Sequence, residues 1–347
     1  MLARRHAKWD GDDDATVFGT APPGAPFRDV PFVPVRPARW PVTQIGRYGR
    51  AIAHAADALR ADLVEVHNRP DLALILAERH RAVTLILNND PRGMRRAQEP
   101  SERWELLDRL AGVATSSAYL AGCLLDGIAD APRSPIVLPN CLDAAELPPP
   151  AAIRENVVLF AGRVVADKGA DGFVAACAEA LPHLPGWRVE MIGGDRFGPD
   201  NPETPFLRAL RPRAAAAGVV MHGYRPHGEV LAAMARAAIV AVPSRWPEPF
   251  GLTALEAMAC GAALLCSNRG GLAEVAGDVA VAVDPDDPAS FAAAIRRLAG
   301  DPERRVKLAA GGLARARLFE LAQVGPQLTA FRDAAMARFS AGRPRPI

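Results

Sequence analysis

The amino-acid sequence predicts an α/β protein with two Rossmann-like domains that face a cleft. Three observations predict this fold. Short apolar segments typical of buried strands alternate with longer segments of helical periodicity, the alternation stops at the proline-rich segment 146–156, and it then restarts. Such alternation is typical of parallel sheets covered by helices on both faces. Since ligands bind at the carboxyl ends of such strands, we expect the functional residues in the loops that follow them.

The proline-rich segment divides the chain into two candidate domains. Residues 1–145 form the predicted N-terminal domain, residues 146–325 the C-terminal domain, and residues 326–347 a helix expected to cross back. Predicted strands of the first domain are "ATVFG", "DVPFVPV", "ADLVEVHN", "AVTLILNND", "GVATSS" and "SPIVLPN". Those of the second are "VVLFAGR", "WRVEMIGG", "VVMHGY", "IVAVPSR", "AALLCSN" and "VAVAVDP". Late helices are predicted over 288–299 and 312–341.

Composition limits the class of protein. The 347 residues are 50% hydrophobic and 23% charged, which suits a globular protein. A net charge of +2 is too small to indicate a nucleic-acid partner. No apolar run has the length of a membrane span, and the N-terminus lacks the pattern of a secretory signal, so we expect a cytoplasmic protein. The five cysteines show no metal-ligand spacing, and we expect reduced thiols and no metal site.

Two strand ends carry glycines suited to a ligand. In "LFAGRVVADKGADGF", Gly162 and Arg163 end a strand, and Lys168 precedes a helix, which together form a natural anion site. The alternative is a surface loop with solvated basic side chains. In "VEMIGG", Gly193 permits either close approach of the backbone to a ligand or a tight turn. Neither G-x-G-x-x-G nor a Walker A motif occurs, which counts against a dinucleotide dehydrogenase and a P-loop enzyme.

The segment "SRWPEPFGLTALEAMACG" places two acids, Glu248 and Glu256, in apolar surroundings. Glu248 lies in a proline-flanked loop after a buried strand, and Glu256 lies in the helix that starts near Thr253. The backbone N–H groups of Gly251, Leu252 and Thr253 can receive phosphate oxygens. An alternative for Glu256 is a capping box with Thr253, which leaves Glu248 unexplained.

These motifs, in this order, resemble the nucleotide-sugar signature of retaining GT-B glycosyltransferases, and most closely glycosyltransferase family 4 (glycosyl transferases group 1). Glu248 and Glu256 have the family's spacing of seven intervening residues, with "EPFGL" and "EAMACG". "FAGRVVADKG" resembles its phosphate motif, "LPNCLD" its interdomain element, and "SNRGGLAEVAGD" its glycine-rich loop. The C-terminal half carries most of the resemblance.

The resemblance implies transfer of a sugar, with retention, from a nucleotide-diphosphate-sugar donor to a saccharide or lipid-linked acceptor. Its usual setting is surface polysaccharide or lipopolysaccharide synthesis, without a metal or other cofactor. It implies catalytic roles for Glu248, Arg163 and Lys168. The implied donor-binding residues are Gly162, Gly193, Tyr224, Phe250, Gly251, Leu252, Thr253 and Glu256. Five arginines between Arg28 and Arg50 leave peripheral contact with the inner face of the membrane as an alternative location.

The N-terminal half departs from the family pattern. The start, "MLARRHAKWDGDDDATVFG", resembles the end of the family's first helix, so we expect its first strand and glycine-rich loop to be missing. Many members carry a histidine where this chain has Asn88, in "TLILNNDPRGM". The acceptor-side candidates are His67, Asn88, Asp90 and Arg92. The alternative for His67 is a histidine hydrogen-bonded within a strand-end turn. The alternative for Asp90 and Arg92 is a solvated helix face.

Two other functions stay open at this point. A non-catalytic or degenerate nucleotide-sugar-binding protein of the same fold is favoured by Asn88 and by the missing first strand. It is disfavoured by the intact set of Arg163, Lys168, Glu248 and Glu256. A sugar-nucleotide epimerase of the same fold is disfavoured because the residues of the motifs match those of the glycosyltransferase family.

Overall fold

The chain folds as two compact α/β units. The computed structural model describes residues 2–9, 15–20, 30–39, 43–79, 82–149, 151, 153–196 and 203–340. Unit 1 takes Met1–Cys141 and Leu321–Ile347, and unit 2 takes Leu142–Glu320. Both units contain parallel sheets with intervening helices, so the predicted α/β class is confirmed.

The described strands of unit 1 lie in two parallel sheets. Its helices are α1 (Leu2–Trp9), α2 (Gln44–Ala58), α3 (Pro70–Ala77), α4 (Pro100–Arg109) and α5 (Ala118–Leu125). One sheet pairs β1 (Val17–Gly19) with β2 (Phe32–Pro34). The other has the order β3-β4-β5-β6, from β3 (Val64–His67), β4 (Val83–Leu87), β5 (Gly112–Thr115) and β6 (Ile136–Val137). A short 3₁₀ turn follows β4 at Pro91–Gly93, and another lies at Ala144–Glu146, just inside unit 2.

Local sequence explains the elements of unit 1. Strand β4 reads VTLIL and is buried at every position, as expected of a strand covered on both faces. Helix α2 starts where the Thr43 hydroxyl accepts a hydrogen bond from the Gly46 N–H at 3.2 Å. Its residues Ile52 and Ala53 pack into the unit 1 core beside Leu85.

Unit 2 is a doubly wound sheet of six parallel strands in the order β12-β11-β10-β7-β8-β9. The strands are β7 (Glu155–Ala161), β8 (Arg188–Ile192), β9 (Val219–Gly223), β10 (Ala237–Val242), β11 (Ala263–Cys266) and β12 (Ala280–Ala282). The helices are α6 (Ala170–Ala180), α7 (Pro205–Ala216), α8 (His227–Arg236), α9 (Leu252–Ala259), α10 (Gly271–Ala276), α11 (Pro288–Gly300) and α12 (Pro302–Arg317). Further 3₁₀ turns span Ala166–Lys168 and Leu181–His183.

Each face of the unit 2 sheet has its own core, as strand periodicity requires. On β7, Phe160 packs with Phe173, which in turn contacts Phe291. The alternate residue Leu159 packs on the other face, with Leu255. Burial on both faces explains why the strands read as continuous apolar runs in the sequence.

Helix α13 (Leu321–Ser340) belongs to unit 1 although it follows unit 2 in the chain. Phe331 lies against Gly112 of β5, where a Cβ atom would come within 2.7 Å of the ring. The last helices were predicted over 312–341, but the first of them, α12, begins ten positions earlier, at Pro302. The Asp301 carboxylate caps α12 by accepting from the Arg304 N–H at 2.9 Å, and Asp-Pro is a start signal the prediction missed.

All five cysteines are buried and unbridged. Among the residues that the structure describes, the helices are too short or too polar to cross a bilayer.

Glu190 on β8 gives unit 2 a pH-dependent stabilisation. Burial acts to raise the pKa of Glu190, but hydrogen bonds from Arg236 and His222, with their charges, outweigh it and lower the pKa. A carboxylate whose folded pKa is lowered stabilises the fold above its unfolded pKa, about 4.5, and this stabilisation is lost as the pH falls through the folded pKa.

We therefore expect Glu190→Gln to lower the free energy of unfolding by about 1–3 kcal/mol at pH 7, since Arg236 and His222 lose the buried carboxylate that they bond and Arg236 keeps only its exposed contact with Glu155. Below the folded pKa of Glu190 the variant and the wild type converge. Urea unfolding at pH 7 and in a series of pH values falling from about 4.5 measures both, with the exposed Glu179→Gln as control. A loss that does not shrink as the pH falls would contradict the assignment.

Candidate functional site

The strand order of unit 2 reverses at β7 and β10. These strands are neighbours, with Val158 beside Ile239, and the chain continues to β8 and β9 on one side and to β11 and β12 on the other. The loops that follow β7 and β10 therefore meet at the switch point, where open α/β sheets bind ligands. They are joined by hydrogen bonds from the Arg245 and Trp246 N–H groups to the Asp167 carbonyl, at 2.8 and 2.9 Å.

Lys168 and Glu248 meet at this switch point. Lys168 ends the turn after β7, and its Nζ donates to Glu248 Oε1 in the loop after β10. Glu248 is only 8% exposed, so its carboxylate needs a charged partner. The Glu248 carbonyl also accepts from the Gly271 N–H at 2.7 Å, which fixes the loop. Two predicted catalytic residues that are 80 positions apart are thus in direct contact.

Glu256 has a partner that the sequence did not reveal. Helix α9 starts at Leu252 with Gly251 as its N-cap residue and without a side-chain cap, so the capping-box alternative is wrong. Instead, Glu256 Oε1 accepts a hydrogen bond from His227 Nε2 at 2.9 Å, with Glu256 7% exposed. His227 opens α8, and its position after the strand-end segment "MHGYRP" is the one signal that could have pointed to it.

Glycines let the strand ends approach each other closely. Gly193 has a φ of +144°, and a Cβ atom there would lie 1.8 Å from the Gly162 carbonyl oxygen. Gly251 has a φ of +109°, and its Cβ would lie 2.7 Å from the Leu272 side chain. These two glycines are therefore required by the backbone itself, whatever ligand it holds.

The other predicted donor-binding residues differ in what they can offer. Arg163 is exposed just after β7, and Tyr224 is 45% exposed just after β9. Leu252 and Thr253 are partly exposed at the start of α9. Phe250 is 4% exposed and packs edge-on against Phe319 at a centroid distance of 5.7 Å. The Phe250 ring is a core residue, which leaves its main chain for ligand contact.

An ion-pair network holds the loop after β10. Arg245 Nη1 donates to Asp171 Oδ1 at 2.6 Å and to the Ala166 carbonyl at 2.8 Å. Arg269 donates to Asp284 and Asp286, both at 3.0 Å. The loop that carries Glu248 is therefore tied to its neighbours, which favours a preorganised site.

The acceptor-side candidates lie in unit 1. Asn88 follows β4, and its Oδ1 atom is buried without a hydrogen-bond partner among the described residues. Asp90 and Arg92 pair with each other at 2.7 Å, and Arg92 also bonds Asp126. His67 ends β3 and contacts Glu65 Oε1 at 2.9 Å. Asp90 and Arg92 thus have structural partners, whereas Asn88 offers a free acceptor atom.

The chain, with its two Rossmann-like units, matches solved structures of the GT-B fold. Sucrose-phosphate synthase from Thermosynechococcus elongatus matches with a TM-score of 0.77 at 18% identity, over 98% of this chain and 93% of that chain. HepE from Anabaena, solved in complex with UDP-glucose, matches with a TM-score of 0.76 at 18% identity, over 96% of this chain and 95% of that chain. The fold class expected from the sequence, with two Rossmann-like units, is confirmed.

The sequence of unit 2 carries the similarity to a known family. Residues 146–314 match the family model of glycosyl transferases group 1. A 196-residue stretch, 54% of this chain, is 37% identical to D-inositol 3-phosphate glycosyltransferase from Acidothermus cellulolyticus and covers 43% of that protein. The chain thus spans less than half of that curated relative.

Proposed function

We propose that the chain is a glycosyltransferase that moves a sugar from a nucleotide-diphosphate-sugar donor to a saccharide or lipid-linked acceptor, with retention of configuration. The observation that carries this is the Lys168–Glu248 pair at the switch point of unit 2. The match of residues 146–314 to the family model supports it, and HepE with UDP-glucose makes uridine nucleotides the first donors to test. A role in surface polysaccharide or lipopolysaccharide synthesis belongs to the same proposal.

Donor binding would exchange the partners of the ion pair. In the protein alone, Lys168 and Glu248 neutralise each other. The donor diphosphate would take Lys168, and hydroxyl groups of the donor sugar would donate to Glu248. Because an ionised carboxylate is an acceptor only, it matches sugar hydroxyls well.

Catalysis would come from charge stabilisation. As the bond between the sugar and the diphosphate breaks, negative charge grows on the diphosphate. Lys168, Arg163 and the N–H groups at the start of α9 would stabilise this charge. The acceptor hydroxyl forms the new glycosidic bond on the face that the diphosphate leaves, and its proton passes to the leaving diphosphate oxygen.

Glu256 would hold the nucleotide through the ribose hydroxyls, with His227 orienting its carboxylate. We expect Glu256→Ala to raise the Kd for the cognate nucleoside diphosphate about 10–100-fold, since a hydrogen bond to a charged group contributes about 1.5–3 kcal/mol. Isothermal titration calorimetry measures the change, with the exposed Glu179→Ala as matched control. An unchanged Kd in Glu256→Ala would remove Glu256 from the site.

On the acceptor side, we propose that Asn88 bonds an acceptor hydroxyl through its unpartnered Oδ1 atom. His67, Asp90 and Arg92 are proposed as further contacts, and membrane contact through the arginines before Arg50 would suit a lipid-linked acceptor. A cytoplasmic location is part of this proposal.

The test is release of nucleoside diphosphate by the full chain. It is offered UDP-, GDP- and ADP-sugars with saccharide and lipid-linked acceptors, beside the variants Lys168→Ala and Glu248→Gln. We expect acceptor-dependent release from one nucleotide class, strongly reduced in both variants. Donor binding without release would favour the degenerate donor-binding protein, which Asn88 makes the second candidate. Donor conversion without acceptor would favour an epimerase.

A further inference from the structure

A second cluster of side chains in unit 1 is formed by His6, Glu65 and His67, and it shares His67 with the acceptor-side candidates. Glu65 Oε1 lies 3.3 Å from His6 Nδ1 and 2.9 Å from His67 Nε2. These three atoms all lie within 4.8 Å of one another. The side chains are 3%, 13% and 20% exposed in chain order, so the cluster is largely protected from water.

The fold fixes each member of the cluster. Glu65 and His67 are two positions apart on β3, so both project from the same face of the strand. Pairing of β3 with β4 fixes their positions along the sheet. His6 comes from α1, which is anchored on both sides of it. Arg5 Nη1 donates to the Cys141 carbonyl at 2.8 Å, and Trp9 Nε1 donates to Thr329 Oγ1 at 2.9 Å.

The surroundings leave the three atoms available. Arg332 Nε of α13 donates to Glu65 Oε2 at 3.1 Å, which orients the carboxylate with Oε1 toward the histidines. The far ring nitrogens, His6 Nε2 and His67 Nδ1, have no hydrogen-bond partner among the described residues. A hydrogen bond donated to a far nitrogen would force the ring proton onto the nitrogen that faces Glu65. No described residue donates such a bond, so both near nitrogens can bind a metal.

We propose that His6 Nδ1, Glu65 Oε1 and His67 Nε2 bind a divalent transition-metal ion, with zinc the best match. Two imidazoles and one carboxylate are a zinc ligand set, whereas calcium and magnesium prefer oxygen ligands throughout. Zinc–nitrogen bonds of about 2.0–2.1 Å place tetrahedral ligand atoms roughly 3.3 Å apart. The separation of His6 Nδ1 from Glu65 Oε1, 3.3 Å, already has this value, and that of His67 Nε2, 2.9 Å, needs to open by a few tenths of an ångström. The two ring nitrogens lie within 4.8 Å of each other and would move toward the metal. Three protein ligands leave a fourth position for water.

The competing explanation is a cluster without metal, in which both imidazoles donate to the Glu65 carboxylate. The two explanations differ in stoichiometric metal uptake. The five cysteines are not expected to bind the added metal, because all of them are buried. Burial raises the pKa of Cys260 and Cys266 to about 12, which keeps these thiols protonated.

The experiment uses the full chain, stripped with a chelator and dialysed against Zn²⁺, Co²⁺ or Mg²⁺. We expect one equivalent of Zn²⁺ by mass spectrometry, visible absorption of four-coordinate Co²⁺, no retention of Mg²⁺, and a Tm that rises with zinc concentration. Zinc affinity should fall at least about tenfold in each of His6→Gln, Glu65→Gln and His67→Gln, with folding checked by circular dichroism.

His222→Gln is the matched control. Like Glu65, Glu190 is a largely buried glutamate that contacts a histidine, His222, and an arginine. Because the Glu190 cluster has one histidine instead of two, it lacks the proposed zinc ligand set. The variant should keep full zinc uptake. On the wild type, zinc should shift the ring NMR signals of two of the seven histidines, so the proposal stays testable if a variant fails to fold. Absent uptake by the folded wild type, equal uptake by all variants, or shifts at other histidines would overturn it.

Discussion

Lys168→Ala is expected to lower kcat/KM for sugar transfer by about 10²–10³-fold, the effect of removing one donor that stabilises charge in a transition state. Lys168 lies at the switch point of unit 2 and bonds the buried carboxylate of Glu248. If it binds the diphosphate, its loss removes a cation where negative charge develops. The effect should therefore appear in kcat as well as in KM.

The controls separate chemistry from folding. Lys168→Ala also leaves the Glu248 carboxylate buried without its cation, which costs stability. The double variant with Glu248→Ala removes that cost and should regain stability without regaining transfer. Lys307→Ala, an exposed lysine on α12, should change neither. Wild-type kinetics in a folded Lys168→Ala would show that the pair is structural only.

Gly193→Ala is expected to lower the free energy of unfolding by about 3 kcal/mol or more. A Cβ atom at this position would lie 1.8 Å from the Gly162 carbonyl oxygen, a backbone atom that cannot rotate away. The φ of +144° adds strain, because residues with a side chain rarely adopt it. Relief requires the ends of β7 and β8 to separate, which would also displace the loop that carries Lys168.

Denaturant unfolding measures this change, with Gly228→Ala as the control. Gly228 is in helix α8, where an added Cβ meets no atom within 4 Å, so alanine should be neutral or stabilising by up to about 1 kcal/mol. Gly193→Ala should also weaken nucleotide binding beyond what its stability explains. A fully stable Gly193→Ala would mean that the two strand ends do not approach as described.

The fold was predictable because its signal is local. Short apolar runs identify each described strand of both units, and the signal is strongest for central strands such as β4, β7 and β10, which are covered on both faces. The prediction failed at the start of α12, where Asp301 and Pro302 form a capping signal in a segment of mixed polarity. The membership of α13 in unit 1 is a long-range property that periodicity does not carry.

The candidate site was predictable residue by residue but not contact by contact. Motif order singled out Lys168, Glu248 and Glu256, yet the pairing of Lys168 with Glu248 depends on the strand order of the sheet. His227 was missed because one histidine after a strand has no signature spacing. The cluster of His6, Glu65 and His67 was missed because 59 positions separate its first two members.

The proposed function requires that the switch point of unit 2 binds a nucleotide-diphosphate sugar. A thermal-shift panel of UDP, GDP, ADP and their common sugars, on the full chain and on Glu256→Ala, measures this binding. We predict that one nucleotide class raises the Tm of the wild type with increasing concentration, and that the shift is lost in Glu256→Ala. A folded wild type whose Tm no nucleotide raises would contradict the claim and leave only the fold.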